Sequence, residues 1–426
     1  MRWLHTSDWH LGRGFHGFSL RSEQEEMLAR ITHAVDEHAV DLLLVAGDIY
    51  DRALPPEWAV AALEGFLSDM ARRGVQVVMT AGNHDSAQRL GFGRALMTSA
   101  GIHFRTALED SWAPVVFSSA SSGGAQEQLL VYGIPYIEPQ LYARALGLER
   151  ANHTAVMAEV LARITADAQR RRQELPSDAS QQIIVMAHVF AAHGVASASE
   201  RHIGASVDAG DEALHHEDTL GGLSVVPLEL FSGVDYAALG HLHGRQQLTQ
   251  SVRYSGSPLR YSFSEAHQAK GAWLGDSRSA DQITGLDWQI GRPLARLSGT
   301  LEEVLEAGTV ERHRDSYVQV KLTDPVRPER AFPRVQDAYP YLAHFSHSGA
   351  GSDTQQRTYA QRVEPARSAE DVVSAFLSHV RGRGPSADET QLVAEGLEAI
   401  RLGSATHSND AHGGAPLSTA QEETAT

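Results

Sequence analysis

Five clusters of metal-binding side chains run along the chain in a fixed order: Asp8-Trp9-His10, Gly47-Asp48, Gly82-Asn83-His84-Asp85, a lone His188, and Gly240-His241-Leu242-His243. Carboxylate, carboxamide and imidazole groups are donors for hard-to-borderline divalent cations. Seven of them (Asp8, His10, Asp48, Asn83, His188, His241, His243), if gathered at one place, suffice for two ions sharing a bridging carboxylate. Two ions close together can stabilise both the attacking and the leaving oxygen of a phosphate ester. The chain has no Cys, which excludes thiolate zinc sites, cysteine nucleophiles and disulfide scaffolds.

The clusters differ in weight when read singly. Asp8-x-His10 alone also reads as a polar strand end. Gly47 removes a side chain where a ligand must approach, yet Asp48 alone also reads as a turn cap. Gly82-Asn83-His84-Asp85 is the most specific piece. Asn83 offers a neutral oxygen ligand, His84 a proton donor, and Asp85 a carboxylate to orient that imidazole by hydrogen bonding. His188 reads equally as a satisfied interior histidine and gains weight only from its place in the series. His241 and His243 sit at i and i+2, so on a strand both imidazoles face one way. The other histidines, including His33, His193, His215 and His216, read as surface or loop residues, and the Trp and Phe residues as core.

Each cluster closes an apolar run: MRWLHTS, DLLLVAG, VQVVMTAG, IIVMA and DYAALG. These runs read as strands, and ligand sites form at strand ends in open α/β sheets. Between the first two, residues 21–38 place Met27, Leu28, Ile31 and Val35 on one helical face. Pro55-Pro56 opens a second helix, which Gly74 closes. The βαβαβ order implies a parallel core sheet with helices on its faces. Residues 114–136 read as strand, loop, strand; 144–172 as mostly helical; 194–222 as a long surface loop or lid; and 235–263 as three short strands. Around Gly291-Arg292-Pro293 the pattern changes to a small α+β unit built from 294–307, 317–322, 332–345 and 369–381. Residues 382–426 drift to Gly, Ser, Ala, Thr and acid and read as a disordered tail.

At 426 residues the chain is long enough for two domains and a tail. The start carries no signal-peptide pattern, and no run approaches the ~18–20 apolar residues of a membrane span; the expectation is a cytoplasmic protein. The net charge is −17, and 34 of the 36 basic residues are Arg. Two divalent cations on two aspartates would leave about +2 locally. That suits one phosphate at the centre, whereas a longer DNA footprint would need scattered Arg or a partner.

The ordered motif set resembles the calcineurin-like metallophosphoesterases. MRWLHTSDWHLGR, LLLVAGDIYDRALPP, AGNHDSAQRLGF, YAALGHLHGRQ and YSGSPLRYSFSE narrow the resemblance to the SbcD family, the nuclease components of bacterial SbcCD complexes. It spans residues 1–290, a metallophosphoesterase nuclease domain, with 294–381 similar in outline to the family's capping domain. The implied fold is α/β, with layered β-sheets flanked by helices, a small α+β cap and a tail. The resemblance implies that Asp8, His10 and His243 hold one manganese, that Asn83, His188 and His241 hold a second, and that Asp48 bridges them. His84 would stabilise or protonate the leaving oxygen, with Asp85 beside it as a further catalytic candidate. Asp51 stands where many relatives carry a second His. The implied activity is double-strand exonuclease and single-strand or hairpin endonuclease cleavage by hydroxide, on DNA ends and hairpins at the nucleoid. The implied partner is an SbcC-type coiled-coil ATPase, with this chain as a homodimer in a heterotetramer. Two other readings stay open: a cyclic-nucleotide-type phosphodiesterase using the same ligands, and a non-catalytic scaffold, which would be expected to have lost them.

Overall fold

The run Leu42–Ala46 has no exposed residue on either face, as a parallel strand covered on both sides requires. In the computed structural model it lies inside a six-stranded sheet. Residues 1–120, 124–191, 219–220, 223–278, 282–348, 373, 386, 389–395 and 397 are described. The strand order of that sheet is Thr284–Trp288, Lys270–Asp276, Arg2–Thr6, Leu42–Ala46, Gln76–Thr80, Ile102–Arg105. Its last four strands are parallel, so their C-terminal ends share one edge. A second six-stranded sheet has the order Gln246–Gln247, Val252–Tyr254, Tyr236–Gly240, Ser180–His188, Gln126–Gly133, Val115–Ala120. Tyr236–Gly240 runs parallel to Ser180–His188, pairing Gly240 with His188.

The two sheets pack face to face. Trp3, Leu42, Leu44, Ala46 and Val78 of the first meet Val131, Ile184, Met186 and Ala238 of the second. Helices cover the outer faces. Arg21–Glu37 and Glu57–Arg73 bury Met27, Ile31, Val35, Leu63, Phe66 and Met70 against Leu43, Val45, Val77 and Met79. Gly74 ends the second of these in the left-handed region, with φ 73°. On the other side His153–Glu174 sets Val156, Val160 and Ile164 against Leu130, Val185 and Leu239. This is the layered α/β core expected from the sequence.

Some expectations shift. The helix read into 144–172 begins only at His153, where Asn152 caps it by accepting the Ala155 amide at 2.8 Å. Of the 194–222 loop, only Thr219 and Leu220 are described, paired with Leu223–Ser224; the lid reading otherwise lies outside the described residues. After residue 293 come three strands in sheet order, Leu294–Gly299, Tyr317–Leu322 and Leu342–His347. Short helices at Leu301–Val304, Ala307–His313 and Ala331–Ala338 accompany them. Nearly all of 369–381 and most of 382–426 lie outside the described residues.

The chain divides into two compact units: 1–298 with 302–320 and 332–345, and 299–301 with 321–331 and 346–426. Within the first, the Tyr317 hydroxyl donates to Glu23 at 3.0 Å, and Phe18 packs on the Tyr317 and Tyr341 rings. Among the described residues no helix is long and apolar enough to cross a membrane.

Candidate metal centre

Asp8, Asp48 and Asn83 follow the ends of three parallel strands of the first sheet. His188 closes a strand of the second, and His241 and His243 follow Gly240 beside it. Because the sheets face each other, these strand ends deliver all seven side chains to one place.

They arrive as two groups. His10 Nε2 lies 3.2 Å from His243 Nε2 and 3.7 Å from Asp48 Oδ2. Asp8 joins His10 and His243 with donor atoms all within 4.8 Å of one another. On the other side His188 Nε2 lies 3.0 Å from Asn83 Oδ1 and 3.3 Å from Asp48 Oδ2. His241 Nδ1 is 3.3 Å from the same Asn83 oxygen. Asp48 stands between the groups, and its Oδ2 faces both His10 and His188.

The backbone here is strained. Asp8, His10, Asp48 and His241 have φ of 54°, 45°, 51° and 103°, a region that non-glycine residues occupy at a cost of order 1–3 kcal/mol each. Neighbouring bonds hold it. The Asp8 amide donates to the Gly47 carbonyl at 3.1 Å and the His10 amide to the Asp48 carbonyl at 3.0 Å. The Asp8 carboxylate accepts the His241 amide at 3.1 Å and the Ser7 hydroxyl. Two glycines are required by contact. A Cβ on Gly47 would strike the His188 ring, and one on Gly82 would fall on the Asp48 carboxylate.

The electrostatics fit cation binding. Burial, reinforced by Asp48 and opposed by the nearby histidines, pushes the Asp8 carboxyl up to about 6. Burial lowers His10 well below its usual value, and burial together with His188 lowers His241 to about 3, so both rings are neutral donors. Burial is the largest influence on His188 and opposes its charge, but Asp48, Asp8 and the Ala46 carbonyl together outweigh it and raise the ring to about 9. The buried His10 Nδ1 and His84 Nε2 have no hydrogen-bond partner. Imidazole nitrogens converging at 3.2 Å beside two buried carboxylates are a donor set suited to divalent ions.

His84 faces the same centre. Its Nδ1 donates to the Asp51 carbonyl at 2.8 Å, and its Nε2 lies 4.0 Å from Asp48 Oδ2. Asp85 corrects an expectation: its carboxylate does not orient the His84 ring. It accepts the amides of Gly82 at 2.9 Å, Tyr50 at 2.9 Å and Ile49 at 3.1 Å. It therefore ties the loop after Gly47 to the loop after Gly82, and the backbone carbonyl of Asp51 orients the imidazole. A second correction concerns His5, grouped with the surface and loop histidines. It is fully buried on the first strand, hydrogen-bonded to the Tyr236 hydroxyl at 2.8 Å, and burial lowers it to about 3. Residues missed at the centre include Ser7, on Asp8, and half-buried Tyr136, whose ring stands 6.5 Å from that of His188. No spacing rule would have found either.

Residues 1–245 match the calcineurin-like phosphoesterase family. The chain belongs to that family. Membership in the calcineurin-like phosphoesterases implies divalent-metal binding, and the Asp–His cluster is the candidate site for it. Residues 291–381 match a second family, the type 5 capsule protein repressor C-terminal domain. Several curated relatives of this phosphoesterase are named as the D component of the nuclease SbcCD. The one from Escherichia coli K12 is 29% identical over 325 residues, 74% of this chain and 74% of the relative. That from Staphylococcus epidermidis is 26% identical over 355 residues, covering 82% and 85%. That from Rhodobacter capsulatus is 33% identical over 293 residues, covering 65% and 66%. Within the phosphoesterase family, these similarities place the chain in the SbcD branch.

Proposed function

We propose that this chain is a metal-dependent DNA nuclease that hydrolyses phosphodiesters at DNA ends and hairpins with two divalent ions, Mn²⁺ foremost. The observation that carries the reading is the division of the ligands into two groups around one carboxylate: Asp8, His10 and His243 on one side of Asp48, and Asn83, His188 and His241 on the other. When bound, such ions lower the pKa of a water and neutralise charge on phosphoryl oxygens.

The chain's own groups do the rest. The Asp51 carbonyl takes the Nδ1 proton of His84, so Nε2 faces the centre. In its charged form His84 donates that Nε2 proton to the departing sugar oxygen. Arg13, stacked over the Tyr261 ring, and Arg52 lie 3.7 Å and 3.9 Å from the Asp51 carboxylate. They flank the residue whose backbone carbonyl orients His84, in a chain whose overall charge is −17. Their guanidinium groups suit bidentate contact with a DNA phosphate.

The relatives' names speak of an SbcCD complex, and we extend that to this chain: an SbcC-type coiled-coil ATPase is the partner, acting on nucleoid DNA in the cytoplasm. A homodimer is supported by exposed apolar residues on and beside the short helices after Asp85, where Phe92 is 84% and Leu96 80% exposed. We read 1–290 as the nuclease domain and 294–381 as its cap.

The test is digestion of blunt-ended and hairpin DNA with Mn²⁺, with and without the ATPase, beside a chromogenic phosphodiester. Metal-dependent cutting of DNA is expected. Turnover of the small ester alone would replace the reading with a small-molecule phosphodiesterase. Light scattering should give a dimer; a strict monomer that never binds the ATPase would remove the assembly.

A further inference from the structure

We propose that Glu265 and Lys270 are positioning residues that set the affinity of one half of the centre, the Asp8–His10–His243 half; the inference rests on the two-metal reading above. His243 turns Nε2 toward His10. Its other nitrogen, Nδ1, lies 3.1 Å from Glu265 Oε1. The Nδ1 proton therefore goes to Glu265, and the Nε2 lone pair is left for a cation. A carboxylate behind a ligating imidazole fixes its tautomer and raises its basicity.

Glu265 is fully buried at the end of the short Phe263–Glu265 turn. A third buried carboxylate beside Asp8 and Asp48 would be costly if left alone. It is not alone. Its Oε2 accepts from Lys270 Nζ at 2.7 Å and from the Tyr261 amide at 3.2 Å. Lys270, also buried, donates further to the His243 carbonyl at 2.7 Å, to Ser257 Oγ at 2.9 Å and to Gln268 Oε1 at 3.1 Å. The ammonium thus cancels the charge of Glu265 and grips the backbone of the histidine that Glu265 orients. A buried ion pair of this kind is a poor source of stability. Its geometry is that of a support for His243.

The two halves are unequal in this respect. His188, in the other half, turns Nδ1 to a neutral acceptor, the Ala46 carbonyl, at 2.9 Å. Among the described histidines of the centre only His243 has a carboxylate hydrogen-bonded behind its ring; His10, in the same half, has the Asp51 carboxylate 3.8 Å from its Nδ1 without a hydrogen bond. Loss of Glu265 should therefore weaken one ion and spare the other, which a general loosening of the fold would not do.

The experiment titrates Mn²⁺ into the metal-free full-length chain. Calorimetry reads stoichiometry and the two affinities, and electron paramagnetic resonance reads whether the ions form a coupled pair. The wild type should bind two ions with a coupled spectrum. Glu265→Gln should keep one affinity and lose about 10–100-fold in the other, the range for outer-shell partners, with isolated-ion spectra at low Mn²⁺. Lys270→Met alone leaves Glu265 uncompensated and risks the fold. The double variant Glu265→Gln/Lys270→Met removes both charges at similar volume and should behave like Glu265→Gln. A wild type that binds no pair sinks the two-metal reading itself. A wild-type pair, with both variants holding two ions at unchanged affinity or losing both equally, overturns this inference and leaves that reading standing.

Discussion

Asp48 Oδ2 stands 3.3 Å from His188 Nε2, so one carboxylate oxygen joins the strand ends of two different sheets. The same oxygen lies 3.7 Å from His10 Nε2. Asp48→Ala should therefore lose both ions, where loss of a ligand such as Asn83, on one side only, should lose one preferentially. Mn²⁺ titration of the folded variant measures this. Two ions still held, with DNA still cut, would remove Asp48 as the bridge.

His84 predicts a different pattern. Its Nε2 faces the centre but stands 4.0 Å from Asp48, and its Nδ1 is taken by the Asp51 carbonyl. His84→Gln should keep metal binding and lower the rate by roughly 10²–10⁴, the range for a general acid. Metal titration and kcat on the same preparation separate the two effects. Full rate in the variant takes His84 out of the reaction.

The converging series was legible because its signals are local: an apolar run, a glycine in the case of Asp48, Asn83 and His241, then a donor. The burial of Leu42–Ala46 on both faces follows directly from strand physics. The period-2 reading of His241 and His243 does not hold: the strand ends at Gly240 and His241 has φ 103°, so both rings reach the centre from the turn beyond the strand, one in each group. The error at Asp85 has an equally physical cause. Adjacency in sequence put its carboxylate beside His84, but adjacent side chains on a tight turn diverge. Three backbone amides from two loops then outcompeted one imidazole for it. Glu265 and Lys270 reach His243 through a turn and a strand whose approach only the tertiary fold decides.

Asp85→Asn should therefore act on the fold of the loops before it acts on chemistry. An amide in that place presents one oxygen and one NH₂ group to three backbone donors, so at least one buried N–H loses its acceptor. The expected cost is about 1–3 kcal/mol, read from denaturant unfolding of the metal-free protein. Unchanged stability would mean that the carboxylate does not tie the two loops.

Gly82→Ala tests the close approach directly. The added Cβ would overlap the Asp48 carboxylate and its backbone nitrogen. Neither is the free end of a flexible chain, so the two loops must separate. Overpacking of this kind costs about 1–3 kcal/mol, and both ions should weaken together because Asp48 moves. Gly65→Ala is the control, since a Cβ there meets nothing within 4 Å. Equal metal affinity in the two variants would refute the contact.

Metal removal should be visible as lost stability. Without ions the folded chain holds the buried Asp8 and Asp48 beside the half-buried Asp85, and desolvation with the Asp48 charge raises Asp8 to about 6 and Asp85 to about 7. The unfolded chain escapes that confinement, so ions that bind only the folded centre favour folding. Mass action gives about 2.7 kcal/mol for one ion at a hundred times its Kd, which for a chain this long means a rise of a few degrees in Tm. Thermal scans in chelator and in excess Mn²⁺ should show this difference for the wild type, and it should vanish in Asp48→Ala. If the wild type melts at one temperature in both conditions, the converging side chains hold no ion in the folded state, and the hydrolytic reading loses its foundation.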